Sequence, residues 1–186
     1  KGYGDRVFGL NNTVTKEQAI AIAYRLAGRE EDAQVAAEEY YNEEGQASPI
    51  NPIRYWSDGY LILAANEGLI SDEDLEDAFG TGTQRQTGEF FYRDAEAERQ
   101  EIAYWMAKAL MLEPIYDQQK IFNSYIDWQE ADPQKIPYIE AILQANIMNG
   151  DGSGRFSPRG PLTREQVAQI IKNAEDYILP ILEFSK

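Results

Sequence analysis

Neither cysteine nor histidine occurs among the 186 residues. The lack of cysteine excludes disulfides and thiolate chemistry. The lack of histidine removes the usual general base near neutral pH and the commonest metal ligand, closing off Ser-His-Asp triads and most zinc sites. An enzyme built from this chain would have to work with carboxylates. Basic residues are scarce, 17 against 32 acids, and a net charge of -15 would repel a phosphate backbone. Nucleic acid is therefore not an expected partner, and no cofactor or metal is expected. No apolar run approaches a membrane span, so membrane insertion is not expected either. The opening Lys1-Gly2-Tyr3-Gly4 has no basic and apolar leader, so any signal peptide is expected to have been removed or to lie outside this sequence. What the chain does have is 43% apolar and 12% aromatic side chains, enough for one sizeable core with rings left over for a surface.

Internal repetition organises the chain. Gly2-Tyr3-Gly4-Asp5-Arg6-Val7-Phe8, with Thr15-Lys16-Glu17-Gln18-Ala19 after it, aligns without a gap on Gly150-Asp151-Gly152-Ser153-Gly154-Arg155-Phe156 and Thr163-Arg164-Glu165-Gln166-Val167. A middle copy keeps the spacing from Phe91 to Glu98 and continues Arg99-Gln100-Glu101-Ile102, but its glycine loop is replaced. Tyr60 to Leu69 and Tyr138 to Ile147 form a second landmark, which copy one lacks. The chain thus starts inside a repeat, and copy two carries an insertion from Ser71 to Gly88.

Each motif reads as a turn followed by a capped helix. Thr15 with Gln18, and Thr163 with Gln166, have capping-box spacing. Apolar residues follow at Ala19, Ile22, Ala23 and Leu26; at Ile102, Trp105, Met106 and Ala109; and at Val167, Ile170, Ile171 and Ala174. These are amphipathic stripes. They predict an all-α fold, a central three-helix bundle with threefold pseudosymmetry and short outer helices and loops. Linking helices are expected over Val35 to Glu44 and Ile115 to Trp128, with Pro49, Pro52 and Pro114 as boundaries. Glu38, Glu39, Glu43 and Glu44 read as a solvated helix face.

A glycine loop, a phenylalanine, a short turn and then Thr-Arg-Glu opening a helix resembles the S-layer homology repeat. Copy three matches best, from Asp127 through the helix Tyr138 to Asn146 and Ile147-Met148-Asn149-Gly150 to Leu162-Thr163-Arg164-Glu165. Copy two matches at Trp56, Tyr60, Gly68-Leu69-Ile70 and the helix from Arg99, and copy one only in its second half. The resemblance implies one domain over 1–186: the second half of repeat one and a linker (1–45), repeat two with its insertion and a linker (46–124), and repeat three with a tail (125–186). It also implies a pseudo-trimer whose grooves hold an acidic, often pyruvylated, secondary cell-wall polysaccharide. The chain would then be a noncatalytic, extracellular module tethering a surface protein to a bacterial envelope.

The family carries its groove base at the position of Lys16, Arg99 and Arg164. A cation in the first helical turn opposes the helix dipole at a cost of roughly 0.3–1 kcal/mol. A bound carboxylate would offset that cost, drawn by the base and by free amides at the helix start. The plainer reading, a base paired with a neighbouring acid, loses ground because the pattern recurs three times in phase. Copy two, lacking its loop, is expected to hold the weakest site. Trp56 could stack a sugar ring or staple its helix, whereas Trp105 reads as core. Gly2, Gly4, Gly150 and Gly152 read as backbone devices that, with Asp151, could also face the glycan. Asn149, Asp151 and Ser153 alternate like a calcium loop, but Gly160 stands where a bidentate Glu is needed.

Two alternatives remain. The first is a protein-interaction domain that kept the fold and lost the glycan site; the second is a carboxylate-based glycan hydrolase, which no particular acid pair supports. The missing half-repeat would leave an apolar groove for the tail from Tyr177 to Phe184 to cover, unless that tail serves self-association.

Overall fold

The computed structural model describes residues 9–43, 55–81, 90–117 and 120–184. Among them the fold is all α, with seven helices, no strand, and two isolated antiparallel bridges, Thr13 to Thr163 and Glu98 to Pro161. The chain divides into two compact units, residues 15–95 and residues 1–14 with 96–186, a division that cuts across the repeated copies.

The unit of residues 15–95 contains α1 (Lys16–Leu26), α2 (Glu30–Glu43), α3 (Asp58–Asn66) and α4 (Asp72–Phe79). Helix α3 is apolar on every side, burying Tyr60, Leu61, Ile62, Leu63 and Ala64, and it packs on each of the other three. Its approach to α2 depends on Gly59, where a Cβ would fall 2.1 Å from the Ala33 carbonyl oxygen. The buried face of α1 centres on Ile20, Ala23 and Tyr24, with the expected Ile22 and Leu26 only half-buried. Contact with α3 sets that face. The insertion after Ser71 forms α4 through a capping box between Ser71 and Asp74, and Gly80 ends it in the left-handed region at φ 70°. Helix α2 matches the expected linking helix, starting earlier behind Glu30, Glu31 and Asp32, whose charges suit a helix start.

The other unit contains α5 (Arg99–Ala109), α6 (Ile136–Gln144) and α7 (Arg164–Phe184). Helix α5 packs on α6 and buries Ile102, Trp105, Met106 and Ala109 as the stripe predicts. In α7 Val167, Ile170 and Ala174 are buried, and the helix runs through Pro180 into the tail. Among the described residues of Ile115 to Trp128 no linking helix forms: the chain there makes 3-10 turns at Phe122–Ser124 and Trp128–Glu130. The cause is Glu140 of α6. Fully buried, its carboxylate accepts the Ile121 and Phe122 N–H groups at 3.1 and 2.7 Å, tying down the first turn.

One backbone pattern recurs at all three repeated helices. The N–H groups of Lys16 and Glu17 donate to the carbonyls of Ala95 and Arg93, those of Arg99 and Gln100 to Gly160 and Pro158, and those of Arg164 and Glu165 to Asn12 and Leu10. Every acceptor lies in the turn preceding a different copy's helix. The capping boxes supply the remaining partners at α1 and α7: Gln18 and Gln166 donate to the threonine hydroxyls at 3.4 and 3.3 Å, and Thr15 and Thr163 donate to the glutamine side chains. At α5 the pair Glu98 and Glu101 takes this role.

Candidate functional site

Arg99 opens α5 and is only 8% exposed. Its Nη1 donates to the Asn149 carbonyl at 3.1 Å, and its guanidinium lies 5.7 Å from the centre of the Phe156 ring. Its Nε is buried without an acceptor. Burial, the largest influence, lowers its pKa; Asp151, Tyr125 and Asp127 oppose that through space without forming a salt bridge to it. A buried cation that lacks an ion pair is costly, and an incoming anion would relieve the cost.

The wall beside Arg99 is the loop from Asn149 to Phe156, whose shape is fixed by internal bonds. Gly150 donates to the Tyr125 hydroxyl at 3.0 Å, and its α-carbon packs so close to that ring that a Cβ would sit 2.3 Å from it. Gly152 and Gly154 take φ of 82° and 85° over open space, the left-handed conformation that glycine adopts without strain. One Asp151 oxygen accepts the Ser153 hydroxyl at 2.7 Å, the Ser153 N–H at 2.8 Å and the Arg155 N–H at 3.3 Å. The bonds from Ser153 hold the Asp151 carboxyl below its ordinary range. Asp127 is buried, and its two oxygens accept the Phe156 and Ser157 N–H groups at 2.9 and 2.8 Å. It anchors the loop from below, supporting Ser157 at φ 57°.

The structure therefore brings Arg99, Gly150, Asp151 and Gly152 into one neighbourhood, joining the base of copy two to the loop of copy three. The Lys16 ammonium of copy one sits 5.1 Å over Phe91 of the loop-less middle copy. Arg164 is half-buried at the start of α7; Gly2 and Gly4 lie outside the described residues. Trp56 is in the other unit, 54% exposed, with the Arg25 guanidinium 5.6 Å from its ring and Tyr60 tilted against it at 6.4 Å. The expectation of free amides at the helix starts is corrected: at Lys16, Arg99 and Arg164 the first two are taken by carbonyls of another copy's turn. Any anion must be held by side chains and the loop.

Sequence reasoning missed Arg93. In the turn of copy two, where copy three has Pro158, it is half-buried with Nε 2.8 Å from Glu17 and Nη2 2.8 Å from Asp58, while its Nη1 has no acceptor among the described residues. It also donates to the Ser57 hydroxyl and covers the Tyr55 ring at 4.4 Å. The readable signal was an arginine at the position where copy three has a proline.

Among the described residues no His, Cys, Asp or Glu cluster fit for a metal ion occurs, and no helix is long and apolar enough to cross a membrane. Residues 124–168, which hold Asp127, the whole loop and the start of α7, match the family model of the S-layer homology domain. No curated protein matches the chain.

Proposed function

We propose, proceeding from the S-layer homology match over residues 124–168, that this chain is a noncatalytic anchoring module gripping an acidic cell-wall polysaccharide beside Arg99. Domains of this kind act in cell-wall and S-layer anchoring and are noncatalytic. The observation that carries the finer reading is the buried Arg99 guanidinium with no ion pair among the described residues, set against the glycine loop. A pyruvyl-type carboxylate fits it: planar, anionic, and able to accept a forked pair of N–H bonds. The repeated helix-start bonds support three copies, with a cell-surface location for the protein that carries them.

The test is co-sedimentation with wall sacculi that retain or have lost their acidic polymer. The intact chain should sediment with the first and remain in solution with the second, and Arg99→Met should remain in solution with both while melting as a folded protein. Equal sedimentation with stripped sacculi would overturn the reading.

A second reading has support in the other unit. There copy two has lost its loop, and the charge of Arg93 in its turn is met by Glu17 and Asp58. That ion-paired turn favours a region retained for contact with protein after losing its glycan site, and binding of a protein partner unaffected by wall glycan would identify it. The exposed tail residues Tyr177 and Leu179 are where self-association would be sought.

A further inference from the structure

We propose that the cleft between α2 and α3 is a separate binding site for a single neutral sugar ring. It has a volume of about 220 Å³, below the roughly 300–1,000 Å³ of sites for drug-sized ligands, and suits one ring better than a chain. Tyr55 and Trp56 stand at one side, 46% and 54% exposed. Ala33 and Ala37 lie on α2 within it, with Gln34 and Glu38 one helical turn apart on the same face. Gln34 and Glu38 are exposed and have no hydrogen-bond partner among the described residues, whereas Arg25, Glu30 and Tyr60 are joined to one another at 2.9 to 3.3 Å. The site thus offers rings for an apolar face and a carboxylate and an amide for hydroxyl groups.

Charge selects the class of ligand. An ammonium ligand is disfavoured because the Arg25 guanidinium already covers Trp56 and Tyr60, at 5.6 and 5.0 Å from their ring centres. An anion is disfavoured by Glu30, Glu38 and Asp58 in the same lining. What remains is a neutral molecule with an apolar face and a rim of hydroxyls, which describes a pyranose. The wall that supplies Gln34 and Glu38 is α2, which lies outside the span matched by the family model. The inference does not depend on Arg99 or on an acidic polymer.

The experiment is titration of the full chain with methyl glucoside and with N-acetylglucosamine, observed by the indole N–H and side-chain amide resonances. The Trp56 indole and the Gln34 amide should shift together with one of these sugars, while buried Trp105 stays in place. Trp56→Ala and the double variant Gln34→Ala, Glu38→Ala should each weaken binding about tenfold or more with unchanged melting, and Arg99→Met should leave it intact. The proposal is overturned if neither sugar moves the indole, or if only tetramethylammonium or a proline-rich peptide does. Sugar binding that persists in both cleft variants would likewise place the site elsewhere.

Discussion

Arg93 and Arg99 both stand beside the turn of a repeated motif, and each keeps one buried nitrogen without an acceptor among the described residues, yet Arg93 has ion pairs there and Arg99 has none. Arg93 meets two carboxylates and a serine hydroxyl within its own unit. Arg99 meets one backbone carbonyl and an aromatic face, and its Nε has no acceptor. A buried charge met by acids of its own unit does structural work; one without an ion pair among the described residues is where an anionic ligand would add a partner. Net charge per residue could not make that distinction, because it depends on which acids reach which base.

The strongest way to break the comparison is to remove each cation. Arg93→Ala strands Glu17 and Asp58 in a buried setting and should destabilise the chain by about 3–5 kcal/mol in urea unfolding. Arg99→Met strands no ion-pair partner and should stay within about 1 kcal/mol of the parent, while wall binding is lost. Similar losses for the two would erase the distinction. Next in size, a pyruvylated wall fragment at a hundred times its Kd should stabilise the parent by about 2.7 kcal/mol and leave Arg99→Met unchanged. Lys16→Ala should cost no more than about 1 kcal/mol, the scale of a cation–π contact made by a half-buried lysine, and should leave sedimentation with sacculi intact. If it abolished sedimentation, the loop-less copy would hold the working groove.

The smallest effect concerns Asp151. Its folded-state pKa lies below the ordinary aspartate value of about 4, so its contribution is present above that value and is lost as pH falls through the lowered one. The Ser153 amide resonance should therefore titrate with a midpoint below 4 and stay constant near neutrality. A midpoint above the ordinary value would show that the Ser153 bonds do not hold the loop.

Local features were legible in the sequence because they depend on residues a few positions apart. The boxes at Thr15 and Thr163, the α5 stripe and the positive φ at Gly152 and Gly154 all follow from short spacing. The Ser71–Asp74 box follows from the same short spacing. What stayed hidden was non-local. Glu140 sits on a helix where an acid normally faces water, and only its bonds to Ile121 and Phe122 explain its burial and the missing linking helix. The meeting of Arg99 with Asn149 belongs to the same class: each residue is recognisable, but their partnership joins different copies.

The borrowed helix caps bear on how the chain acquires its structure. The first helix lacks acceptors for its leading amides until residue 95 has been synthesised, the second waits for residue 160, and the third reaches back to residue 12. Such long sequence separations slow folding, because loop closure must be paid before the contact repays it. A chain released early from its template would hold frayed helix starts, and a single repeat excised from its neighbours would inherit the same defect.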